Sequence, residues 1–112
     1  MIMSLANSAK PAELDLEVFT FVERYATNLV RWDLLLFFGR NPDAQLSATE
    51  IARQVKRSAS ATLKELDDLT YLRVFTRRYT PNRTTYQLSR RAGVRRAVAR
   101  LADGVDENSS GK

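Results

Sequence analysis

From residue 13 the chain alternates apolar and polar positions with a helical period. Leu14, Val18, Phe21, Val22 and Tyr25 share one helix face, and Glu13, Asp15 and Glu17 load the first turns with the charge that the helix dipole favours. A second helical run, Leu29 to Gly39, carries Trp32, Leu35, Leu36 and Phe38, with Thr27 or Asn28 as its cap. The pattern leaves open whether the two runs are one bent helix or two. Gly39 and Asn41-Pro42 then stop the helix and open a short connection. In "SATE", Ser47 and Glu50 have the spacing of a capping box, so a short helix starts there and runs through Ile51, Ala52 and Val55. "KRSAS" breaks the periodicity, and Ser58 or Ser60 caps a further helix through Thr62, Leu63, Leu66 and Leu69.

After Leu72 the period changes to two. In "RVFTRRYT", Phe75, Arg77 and Tyr79 fall on one face and Val74, Thr76 and Arg78 on the other, while "TTYQL" is rich in β-branched and aromatic residues. Pro81 and Asn82 suit the corners of a turn between them, which predicts a hairpin. Ser89 caps a last helix in which Val94, Ala97, Val98 and Leu101 form an apolar stripe among Arg90, Arg91, Arg95, Arg96 and Arg100. The predicted fold class is mainly α with a small β-hairpin. One domain over residues 13–102 is expected between a disordered lead-in, residues 1–12, and a flexible acidic tail, residues 103–112.

Composition narrows the function. The 112 residues include no Cys and no His, which removes disulfides, thiolate metal sites and the commonest general base. With no glycine-rich phosphate loop and no carboxylates at metal-site spacing, an enzyme is not expected, nor any cofactor or metal. No apolar stretch approaches the roughly 20 residues of a membrane span, and "MIMSLANSAK" has no basic segment ahead of an apolar one, so a cytoplasmic location away from membranes is expected.

Charge is the informative quantity. Residues 1–50 hold four Lys/Arg against seven Asp/Glu, a balance of −3, whereas residues 51–102 hold thirteen against three, a balance of +10; the last ten hold one against three, −2. A basic half of this kind attracts polyanions, nucleic acid first and an anionic membrane surface second. The bland alternative is a soluble basic surface.

The order helix, helix, short helix, helix, strand, strand, helix, with "LSATEIARQVKRSASATLKELDDLTYLRVFTRRYTPNRTTYQLS", resembles the winged helix-turn-helix domain of bacterial transcription regulators, broadly the MarR-like and ArsR-like groups. The resemblance spans Trp32 to about Leu101, and "LSATEIARQV" is its most specific part. It implies a sequence-specific duplex-DNA-binding transcriptional regulator whose recognition helix, in "ATLKELDDLTYLRVF", enters the major groove while a basic wing meets backbone or minor groove. Arg77, Arg78 and Arg83 are then wing contacts to phosphate; Arg53, Lys56 and Arg57 flank the groove; Ser58, Ser60, Ala61 and Lys64 read bases. The competing roles are edge-strand protection for the wing arginines, a solvated helix end for the second set, and capping for the two serines.

The resemblance further implies a homodimer through the N- and C-terminal helices, with Phe19, Phe21, Val22 and Tyr25 contributing. Two departures stand out. These families often place Gly in the turn where this chain has Lys56 or Arg57, and Gly before the first wing strand where it has Tyr71 to Arg73. The recognition helix also carries Glu65, Asp67 and Asp68, which phosphate would repel if they faced DNA. A winged-helix protein-interaction module, using Tyr79 and Tyr86 as exposed wing aromatics, is the alternative reading. A small-molecule effector would leave no signature in the sequence.

Overall fold

The computed structural model describes residues 16–110, with side chains as far as Asp106; the expected lead-in over residues 1–12 lies outside the described residues. Helix α1 occupies residues 16–25, and the chain leaves the helix at 26–28 before α2, Leu29–Arg40, so the two N-terminal runs are separate helices. Of the two candidate caps Asn28 is the one used, its Oδ1 accepting the Arg31 N–H at 2.9 Å. The remaining elements are α3 (Ala48–Val55), α4 (Ala59–Tyr71), β1 (Phe75–Tyr79), β2 (Thr84–Leu88) and α5 (Ala92–Ser110).

The core is built on α2. Leu34, Leu35 and Phe38 are fully buried there, meeting Ile51 of α3, Leu66 and Leu69 of α4, Phe75 and Leu88 of the hairpin, and Val98 of α5. Each such side chain contributes about 1.5–3 kcal/mol through burial. Gly39 does not stop α2 as the sequence pattern suggested. It lies inside the helix where α5 crosses, and a Cβ there would sit 2.6 Å from the Val98 carbonyl oxygen and 2.7 Å from the Ala102 Cβ. The helix ends instead at Asn41, whose backbone N–H and Nδ2 both donate to the Phe37 carbonyl.

Further sequence expectations are corrected. Helix α5 continues past residue 102 into the expected tail: Ala102 and Val105 extend its apolar stripe against the core, and Arg40 donates to Asp106 at 2.7 Å. Ser89 is not the α5 cap; its hydroxyl accepts the Arg91 N–H at 3.0 Å, two residues on, and braces the entry to the helix. On α4 the buried face is Thr62, Glu65, Leu66 and Leu69, which leaves Leu63 43% exposed. Tyr86, expected on the outside of the wing, is buried.

The two strands pair antiparallel with Phe75 opposite Leu88, Arg77 opposite Tyr86 and Tyr79 opposite Thr84. Thr80 closes the turn, its hydroxyl donating to the Arg83 carbonyl and accepting the Arg83 N–H. Leu46 forms a bridge to Tyr86 on the far side of β2, tying the hairpin to the segment ahead of α3. The fold is a winged helix-turn-helix in which α3 and α4 form the helix pair and β1–β2 the wing. No helix among the described residues is long and apolar enough to cross a membrane.

Candidate nucleic-acid interface

Of the three carboxylates of α4 Glu65 alone is buried; the side chains of Asp67 and Asp68 stay 43% and 44% exposed, but each is held in an ion pair. Glu65 is 8% exposed and accepts from Arg31 Nε of α2 at 2.7 Å; Arg31 Nη1 also donates to the Tyr25 carbonyl, so one guanidinium links the end of α1, the start of α2 and the middle of α4. Burial pushes the Glu65 carboxyl up, but hydrogen bonds from Arg31 and Asn28 and the charges of Arg31 and Lys64 outweigh it and hold the group below its ordinary range. Asp68 lies 3.0 Å from Lys64 Nζ and 3.5 Å from Arg31 Nη2, and the Lys64 hydrogen bond holds it low as well.

Asp67 belongs to the wing. One of its oxygens accepts from Arg77 Nη1 at 2.7 Å and from the Tyr86 hydroxyl at 2.6 Å, and these two donors sit opposite each other across the hairpin. Burial and the hydrogen bond to Asp67 push the Tyr86 phenol up, which keeps it a donor. The wing is thus bolted to α4 through a single carboxylate. This link joins residues 10 and 19 positions apart in the sequence, and no local pattern signals it.

The structure sorts the expected contact residues by what they already hold. Ser47 and Glu50 form the capping box of α3, and Glu50 also takes Arg83, so the wing tip is tied to the start of α3. Hydrogen bonding to the Ser47 backbone, with help from Arg83, holds the Glu50 carboxyl low. Arg57 pairs with Asp33 at 2.8 Å, Lys64 with Asp68, and Arg77 with Asp67. Ser58 is the α4 cap, accepting from the Ala61 N–H at 3.1 Å, and Ser60 is exposed on the first turn. Among the described residues Arg53, Lys56 and Arg78 are exposed, and their side chains have no hydrogen-bond or ion-pair partner. Leu63, which the sequence pattern grouped with the apolar positions of this helix, and Tyr71 are 43% and 86% exposed on α4 outside the core, and the sequence pattern did not mark them as surface residues. Their signal was the helical phase set by Thr62, Leu66 and Leu69.

Among the described residues the non-glycine residues with positive φ are Lys56 at 61° and Arg73 at 70°, and they fall in the two stretches, Lys56 or Arg57 and Tyr71 to Arg73, where the resemblance leads one to expect glycine. Arg57 N–H reaches back to the Ala52 carbonyl after the first, and after the second Val74 and Arg73 N–H groups bond to Leu69 and Thr70 carbonyls, the pattern of a helix closed by a left-handed residue. Long basic side chains therefore stand where the backbone favours none. No group of acidic, His or Cys side chains that could hold a metal ion occurs among the described residues.

No family model matches the sequence, and neither does any curated protein. Solved structures do match over nearly the whole chain. A "predicted DNA-binding transcriptional regulator from E. coli" superposes with a TM-score of 0.63 at 21% identity, over 93% of this chain and 99% of that one. MepR, a transcription regulator of the Staphylococcus aureus multidrug efflux pump MepA, superposes at 0.60 and 14% identity over 96% of this chain and 79% of its own. NadR, solved with 4-hydroxyphenylacetate, gives 0.62 at 13% identity over 97% and 77%. At these identities the likeness is one of fold. The winged helix-turn-helix resemblance carried by the sequence holds at that level.

Proposed function

We propose that the protein is a sequence-specific duplex-DNA-binding transcriptional regulator that works as a homodimer. The observation that carries this reading is that Glu65, Asp67 and Asp68 are each held in an ion pair, which offsets the charge conflict on the recognition helix, while Arg53, Lys56 and Arg78 are left unneutralised by described residues. Helix α4 enters the major groove by its N-terminal turns, with Ser60, Ala61 and Lys64 at base edges, Ser58 as cap and phosphate neighbour, and Leu63 against a thymine methyl. Arg53, Lys56 and Arg78 take phosphates; Arg57, Arg77 and Arg83 stiffen the surface through their ion pairs and keep donors for the backbone. The regulator neighbours support the DNA-binding part of this reading.

Dimerisation is assigned to α1 and α5. Phe21 packs into the protein's own core, and Val22 and Tyr25 lie against it, so the surface offered to a second copy is Leu16 and Phe19, 64% and 58% exposed. The alternative, a protein-interaction module, keeps Tyr79 at 71% exposure but loses Tyr86 to the Asp67 contact. Fluorescence anisotropy with labelled random-sequence duplex, against unlabelled single strands as competitor, separates the two. Duplex binding that resists single-strand competition is expected; no duplex binding at low salt would move the assignment to the protein-interaction module.

A further inference from the structure

A second basic site lies at the base of the wing. Arg73, Arg77 and Arg91 line a groove of about 400 Å³ between the end of α4, the exposed side of β1 and the entry to α5, together with Thr76, Tyr79 and Ser89. No carboxylate lines it. The side chains of Arg73 and Arg91 have no partner among the described residues, and Arg77, whose Nη1 is held by Asp67, has a buried Nε with no acceptor there. Arg73 is also held at φ 70°, where glycine is favoured. Stabilising the carbonyls at the end of α4 would account for Arg73 alone. It leaves the convergence of Arg77 and Arg91 with Arg73 on one carboxylate-free groove without a purpose.

We propose that this groove binds a phosphate-class oxyanion. Guanidinium forks match the geometry of phosphate oxygens bidentately, and Thr76, exposed on β1, adds a hydroxyl. The volume falls within the usual range of small-ligand sites, roughly 300–1,000 Å³. The groove is distinct from the surface assigned to bases: that surface is the N-terminal part of α4, and Arg73 lies beyond the other end of this 13-residue helix, which at about 1.5 Å per residue is roughly 20 Å long. The oxyanion comes either from a free phosphorylated small molecule or from the backbone of a bound duplex. Because Arg77 is bonded to Asp67, an occupant would act on the same carboxylate that fixes the wing to α4.

The test is thermal unfolding of the full chain titrated with inorganic phosphate, against chloride of equal ionic strength, for the wild type and for Arg73→Gly/Arg91→Ala. Glycine suits φ 70° and Arg91 is exposed, so the double variant is expected to fold. Wild type should melt higher in phosphate, and the double variant should lose most of that rise; general salting-in or salting-out effects are common to both proteins and cancel. Amide NMR shifts at Thr76 and Ser89 in phosphate provide a second readout. An equal rise in both proteins, no rise beyond chloride, or a rise lost on changing Arg53, Lys56 and Arg78 to Ala instead would overturn the proposal. Duplex affinity of the double variant names the source: an unchanged salt dependence assigns the groove to a free ligand, a shallower one to DNA phosphate. Phosphate protection is read without DNA, so failure of duplex binding leaves this test intact.

Discussion

Asp67 is the residue on which the wing's position turns. It satisfies a guanidinium and a buried phenol at once, so removing it strands both donors. Asp67→Ala should cost about 1–2 kcal/mol in urea unfolding, and Tyr86→Phe about 1 kcal/mol, because the phenylalanine leaves the Asp67–Arg77 pair intact. Equal costs would mean that the phenol, not the ion pair, carries the link. Glu65 gives a pH signature. Its folded-state carboxyl lies below the ordinary value near 4.3. Its contribution to stability is therefore complete above that value and is lost as the pH falls through the lower, folded one. Glu65→Gln should flatten the drop in melting temperature between neutral and strongly acidic pH. A drop as steep as wild type would assign the acid sensitivity to other carboxylates.

At the scale of elements, the close crossing of α2 and α5 is the point of tension. Gly39→Ala forces a methyl against the Val98 carbonyl and the Ala102 side chain, so it should destabilise by about 1–3 kcal/mol in urea unfolding despite the better helix propensity of alanine. A neutral result would show that α5 can move away. Most of the element layer could be read from the chain, because caps and periods are local. The Ser47–Glu50 box, the change to period two after Leu72 and the turn at Pro81-Asn82 are each written within a few neighbouring residues, and the structure has all three. What could not be read is non-local. Arg31 and Glu65 stand 34 positions apart, Arg83 and Glu50 33 apart, and only the fold brings each pair together. The same holds for the candidate site. The basic residues were visible as a charge excess, but which of them are held in ion pairs depends on partners contributed by other elements. The extension of α5 was legible in principle, since Ala102 and Val105 continue the stripe of Val98 and Leu101, but the acidic residues around them suggested a tail.

For the whole molecule, the question is how two copies would present two recognition helices to one duplex. Phe19→Asp places a charge on the exposed face of α1 while leaving Phe21 in the core. Sedimentation equilibrium should show a dimer for wild type and a shift toward monomer for the variant, with unfolding little changed. A wild-type monomer at micromolar concentration would remove the symmetric mode of binding. Loss of the dimer should also weaken operator binding, because each half-site would then be held alone.

The proposed binding mode rests on Arg53, Lys56 and Arg78 as cations that meet phosphate. Its most direct test is the salt dependence of duplex affinity, measured by anisotropy for wild type and for the variant with all three changed to Ala. Each phosphate contact contributes about 0.9 to the slope of log affinity against log salt, so the variant's slope should be shallower by about 2.7 per protein chain, with unfolding unchanged. An unchanged slope in a folded variant would overturn this binding mode, because the phosphate surface would then lie elsewhere on the molecule.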